Sequence, residues 1–199
     1  MKRIVAVLTV VCIMALSACA ANPRCEYEEI SNALSEAEAV RCYVYSDEVS
    51  YEIEGSAVSH MVDGMWEKTS KPEDFEKILS ITVSTQYEIG FFEDGNAIVY
   101  SGYAGVFEKD RQYYSCKTNS SFDEIIEMLR ENGFLVVDDE VKASDEANLY
   151  DAPNGNQVGV LKGDAVAFRS GKRADGWCKL EYEGKTVYAI DSSLVADGE

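Results

Sequence analysis

From Ala147 onward the chain breaks into short extended pieces separated by Gly, Asn and Asp, and its apolar residues never recur at the spacing of three and four that a helix requires. Such a stretch can bury its apolar side chains only by pairing strands. Pro153 presets its φ and, with Asn154 and Gly155, turns the chain after the first strand; Leu161-Lys162-Gly163-Asp164 makes the next turn. Glu183-Gly184 closes a hairpin between Leu180-Glu181-Tyr182 and Thr186-Val187-Tyr188. Val158, Val160, Val166, Phe168, Trp177, Leu180, Val187 and Ile190 are the expected core of a small barrel. A unit this size buries little surface, so its stability rests on those few side chains.

Four landmarks stand in order here: Ala147-Asn148-Leu149-Tyr150-Asp151-Ala152-Pro153-Asn154-Gly155, Val158-Gly159-Val160-Leu161-Lys162-Gly163-Asp164, Gly176-Trp177-Cys178-Lys179-Leu180 and Tyr182-Glu183-Gly184-Lys185-Thr186-Val187-Tyr188. Together they resemble the bacterial SH3 (SH3b) family. The resemblance implies an SH3-like barrel over residues 147–197 and a role in binding. Where many members carry a basic residue after the first strand's apolar position, this chain has Tyr150. Trp177 has two readings, a ligand platform or a packing residue, and Tyr150 and Tyr188 are further candidate ligand-binding residues.

The other end of the chain reads as an export signal. Lys2 and Arg3 precede an apolar run from Ile4 to Leu16 broken only by Thr9, too short to span a bilayer, which needs about 20 apolar residues. Leu16-Ser17-Ala18-Cys19 resembles the lipobox of bacterial lipoproteins, which implies a lipid on Cys19, with residues 1–18 removed and residues 19–25 as a tether. Ordinary cleavage after Ala18-Cys19-Ala20 is the alternative. Acyl chains contribute about 0.8 kcal/mol per buried methylene, so more than one chain makes a stable anchor.

Loss of Lys2 and Arg3 takes the formal charge from -18 to -20, and the charge is unevenly spread. Residues 19–140 hold 26 acidic and 9 basic side chains, whereas residues 141–199 hold 10 and 7. Such a balance repels phosphate backbones and anionic headgroups, so nucleic acid is excluded as a partner and the lipid is the only expected membrane contact. Once Cys12 leaves with the signal and Cys19 takes its lipid, Cys25, Cys42, Cys116 and Cys178 remain, either in one of three full pairings or as buried free thiols.

Between the ends, residues 26–137 mix two periodicities. Ile30, Leu34 and Ala37 predict a helix over 26–39, and Arg41 to Tyr45 with Val49 to Ile53 a hairpin. Pro72, Glu73 and Asp74 open a second predicted helix with Phe75, Ile78 and Leu79 on its apolar face. Tyr87, Ile89 and Phe91 alternate with polar residues, turn at Asp94-Gly95 and return over Ala97 to Tyr103, with a third strand near Gln112 to Lys117. Ser121-x-x-Glu124 is a capping box for a last helix carrying Phe122, Ile125, Ile126 and Leu129, which stops at Asn132-Gly133. The expected fold is an α+β N-terminal domain, an antiparallel sheet with helices on one face, joined by a polar linker at 138–146 to a small all-β SH3-like barrel.

Nothing in this pattern supplies catalysis. His60 is the sole histidine, no nucleophile motif accompanies it, and no Cys-x-x-Cys, His-x-x-x-His or EF-hand loop offers a metal site. No catalytic residue, metal or cofactor is expected. The expectation is a non-catalytic lipoprotein on the extracytoplasmic face of the cell membrane, contacting peptidoglycan or a surface protein. The alternative is an accessory or inhibitory protein whose acidic N-terminal domain binds a protein partner, with the barrel as spacer.

Overall fold

The computed structural model describes residues 32–62, 67–71, 76–83, 87–93, 95–101 and 113–197. The export signal, Cys19, Cys25, the first part of the helix expected over 26–39 and the Pro72 start of the second helix lie outside these residues.

Antiparallel pairing dominates. β1 (Val40–Val44) and β2 (Val49–Ile53) form the expected hairpin, and β4 (Leu79–Thr82), β5 (Tyr87–Phe91), β6 (Asn96–Ser101), β7 (Tyr113–Lys117) and β3 (Glu67–Thr69) follow on β1's far side. Gly95 turns β5 into β6 with φ +74°, where glycine has no Cβ penalty. On β2's other side comes β8 (Phe134–Ala143), then β11 (Val166–Lys172), β12 (Trp177–Tyr182), β13 (Lys185–Ile190), β9 (Glu146–Tyr150) and β10 (Gln157–Lys162). β14 (Leu194–Ala196) pairs with β8 off this path. The turn between β12 and β13 has Glu183 at φ +50° and Gly184 at φ +73°, both positive as a primed two-residue hairpin requires.

These strands form one continuous hydrogen-bonded sheet, which overturns the expected α+β domain followed by a separate barrel. The cause lies in residues 138–146, expected as a linker because of their charge. Residues up to Ala143 belong instead to the ten-residue β8. One edge of β8 pairs with β11 from Leu135 to Lys142; the other is shared by β2 at Phe134 and Leu135 and by β14 at Val141 to Ala143. The second expected helix also fails where it is described. Leu79 starts β4, held between β1 and β5, and its neighbours Ile81, Thr82 and Val83 are β-branched; pairing on both edges outweighs a local helical spacing.

Helices are short. Residues 32–36 are helical, α1 (Gly55–Ser59) runs into a 3-10 turn at His60–Val62, and α2 (Phe122–Asn132) starts at Ser121. The capping box is complete: the Glu124 backbone N–H donates to the Ser121 hydroxyl at 3.3 Å and the Ser121 backbone N–H to the Glu124 carboxylate at 2.7 Å. Gly55 lets α1 meet the 32–36 turn, since a Cβ there would lie 2.0 Å from the Leu34 carbonyl oxygen.

Two apolar cores lie under the sheet. The first gathers Leu34, Cys42, Val44, Val58, Leu79, Ile81, Ile89, Phe91, Ala97, Ile125 and Leu129; the second gathers Val141, Ala143, Ala147, Leu149, Leu161, Ala167, Cys178, Leu180, Val187, Ala189 and Leu194. The second differs from its expected composition by the parity of the strands. Val158, Val160, Val166, Phe168 and Ile190 are 56, 38, 41, 39 and 38% exposed, while the small residues between or beside them point inward. Ala143, Ala147, Ala167 and Ala189 thus pack inward beside Leu149, Leu161 and Leu180, with no room left over around them.

One charged group shares that second core. Arg169, 7% exposed, donates from Nε to Asp139 at 2.9 Å, from Nη2 to the same carboxylate, and from Nη1 to Asp191 at 2.7 Å. The Cys178 thiol donates to Asp191 at 3.1 Å. Arg169 holds the Asp139 carboxyl below its ordinary range. Stability from that shift is therefore present above the ordinary carboxylate pKa, about 4, and is lost as pH falls through the lowered value.

Parity makes neighbouring residues behave oppositely. Ala189→Leu overpacks the second core and should cost about 1 to 3 kcal/mol in urea unfolding, whereas Ile190→Ser, on the outer face, should cost well under half as much. A larger loss for Ile190→Ser would place β13 in the opposite register.

Candidate functional site

The outer face of the C-terminal strands carries a cross-strand row. Gly171 on β11 is opposite Lys179 on β12, Lys179 is opposite Tyr188 on β13, and Tyr188 is opposite Tyr150 on β9. Directly opposed residues share a face, so these side chains are neighbours. A bulge at Arg169 to Gly171 brings Gly171 into the row, because it shifts the inward and outward alternation of β11 by one residue. Phe134, from the start of β8, lies across the glycine. A Cβ on Gly171 would stand 2.9 Å from the Phe134 Cβ, so a side chain there would push the ring away.

Phe134 thus becomes the aromatic wall at the seam between the two cores. Its ring centroid is 5.7 Å from that of Tyr188, and the Arg173 guanidinium lies over it at 5.3 Å. Arg173 is held in place by Asp175, which accepts from Nε at 2.8 Å and Nη2 at 2.7 Å; the pair raises the arginine's pKa and lowers the carboxyl's. Lys179 reaches across the seam to the Glu52 carboxylate on β2. Both residues of this ion pair line a cleft of about 610 Å³, where β2 pairs with the start of β8. Its walls are Glu38, Ala39, Glu52, Ile53, Glu54, Ala57 and Asn132 from one side, and Phe134, Asp151, Ala152, Pro153, Arg173, Lys179, Thr186 and Tyr188 from the other.

The three aromatic residues expected to contact a ligand share this outer face but differ in access. Tyr188 lines the cleft. Tyr150 is half-buried and meets Trp177 edge-on, with centroids 5.2 Å apart. Trp177 is 7% exposed, yet it alternates with the inward-pointing Cys178 and Leu180 and lies outside the second core's cluster. It is buried on the outer face, beside Tyr150, and does not fill the interior. Phe134, Arg173, Lys179 and Glu52 went unmarked in the sequence. Gly133, the helix stop, shows where β8 begins, but nothing local ties Phe134 to Gly171.

Chemically the cleft can hold and orient a ligand by stacking and by charge. None of its lining residues is a histidine or cysteine. His60 is exposed at the 3-10 turn, and among the described residues no group of three or more His, Cys, Asp and Glu side chains could hold a metal ion. Cys42, Cys116 and Cys178 are free and buried, and burial pushes each thiol up to about 12, which keeps them protonated and inert at neutral pH. The chain matches no protein-family model, no curated protein sequence and no solved structure.

Burial separates the roles of the two central aromatics. Trp177→Ala should cost about 3 kcal/mol or more in denaturant unfolding, the range for truncating a buried large aromatic, and Tyr188→Ala less than half that. If Trp177→Ala unfolds at the wild-type midpoint, the ring is not held by packing.

Proposed function

We propose that this chain is a non-catalytic protein of the extracytoplasmic membrane face, anchored by lipid on Cys19, that binds peptidoglycan or another surface protein in the seam cleft. The observation that carries the reading is the cleft itself, about 610 Å³ with Tyr188 and Phe134 on one wall. Ligand sites are concave, with an apolar or aromatic lining and a few placed polar groups, and they favour junctions between folded units. The SH3b resemblance of residues 147–197 and the lipobox resemblance at Leu16 to Cys19 agree with binding at a surface.

A photo-crosslinking residue in place of Thr186, exposed in the cleft, tests this in cells against the same residue in place of Asp164, exposed outside it. Adducts should form from position 186 and be absent or far weaker from position 164. No adduct at 186, or equal adducts at both, contradicts the cleft as the binding site. In the same cells Cys19→Ala should leave the membrane fraction; retention there would contradict lipid anchoring.

A further inference from the structure

We propose that the seam cleft takes an extended basic segment of a partner protein, a lysine or arginine side chain lying along Tyr188 with its charge between Glu38 and Glu54. The proposal rests on the cleft being the binding site and adds the chemistry of what it holds.

Charge in the cleft does not balance once internal pairs are removed. Lys179 is taken by Glu52 and Arg173 by Asp175. Asp151 accepts from the Asn156 backbone N–H at 2.7 Å and side-chain amide at 3.2 Å, which fixes its turn. Glu38 and Glu54 remain, both exposed and neither in an ion pair among the described residues; Glu54 accepts only from the Ser56 hydroxyl, at 3.5 Å. The Gly55 N–H donates to the Ala37 carbonyl at 3.1 Å, which draws the segments bearing the two carboxylates alongside each other. Like charges on adjacent segments repel, and a cation between them relieves the repulsion.

The opposite wall suits the same guest. An aromatic face attracts ammonium and guanidinium groups, and the chain's own Arg173 already lies on Phe134. Tyr188 offers a second ring to a methylene stem, as long cationic side chains bury their stems along apolar surface. The groove also continues: Ala39 and Glu52 line a second depression of about 540 Å³ with Val40, Arg41 and Thr82. A lining that runs on past the cleft suits an extended segment better than a lone amine. Residues 19–140, with 26 acidic against 9 basic side chains, add a long-range field that draws a basic protein in. Wall polymers rich in carboxylates would be repelled by that field.

The test is calorimetric titration of the full mature chain with a capped hexalysine peptide, with its Nε-acetylated counterpart and with a soluble wall muropeptide. Hexalysine should bind, and both other probes should bind at least about tenfold more weakly. Glu38→Gln with Glu54→Gln should weaken hexalysine about tenfold, while Glu146→Gln with Asp164→Asn, an equal charge change on exposed residues outside the cleft, should change it less than about twofold. Thermal melts of both double variants should match wild type, since all four side chains are exposed. Equal weakening by the two variants, binding of the acetylated peptide as tightly as hexalysine, or tighter binding of the muropeptide overturns the proposal. Crosslinking from position 186 that persists in those cases sinks this inference alone; its absence sinks the cleft reading too.

Discussion

β8 is the strand on which the molecule turns. β11 occupies one of its edges, and the other is divided between β2 at its start and β14 at its end. A strand that pairs with both halves cannot be moved without breaking main-chain bonds on either side, and buried main-chain groups left unpaired are costly. The seam therefore has a fixed geometry, and the cleft inherits it. Phe134 and Leu135 pair with β2, while the Phe134 ring reaches Gly171, Tyr188 and Arg173.

Charge reinforces the same join. Asp139 sits midway along β8 and meets Arg169 through two N–H groups, and Arg169 also reaches Asp191 at the 3-10 turn leading into β14. The buried guanidinium thus ties β8, β11 and the C-terminal turn together. Because Arg169 has two carboxylate partners, loss of either aspartate leaves the guanidinium still paired, whereas loss of Arg169 removes both contacts at once. Lys179 and Glu52 repeat the device across the seam, closer to solvent. Away from the seam, Lys77 donates to the buried Glu88 at 2.5 Å and passes over Gly90, whose missing Cβ leaves room for its stem.

Local signals were legible where local physics decides the outcome. The Ser121 and Glu124 capping box, the Gly95 turn and the Glu183-Gly184 hairpin each depend on a few adjacent residues, and each stands as its residues predict. Two things were not legible. Parity on β10, β11 and β13 could not be read from apolar residues alone, because valine and phenylalanine occupy outward positions while Ala167 and Ala189 face in. The role of residues 138–143 was hidden because Asp139, read as a solvated linker charge, has its partner thirty residues away at Arg169. At the site, Tyr188 was legible as a candidate ligand-binding residue, but Phe134 beside it and Glu52 opposite come from β8 and β2, which only the long-range pairing brings together.

Two buried cysteines report on the central claim directly, because Cys42 is in the first core and Cys178 in the second and both are free. Thiol labelling along a urea titration, read residue by residue by mass spectrometry, measures the free energy that exposes each. If β8 makes the two cores one cooperative sheet, Cys42 and Cys178 become reactive at the same midpoint with the same steepness. Well-separated midpoints, with one thiol labelled while the other stays protected, would show that the halves unfold independently and that β8 does not couple them.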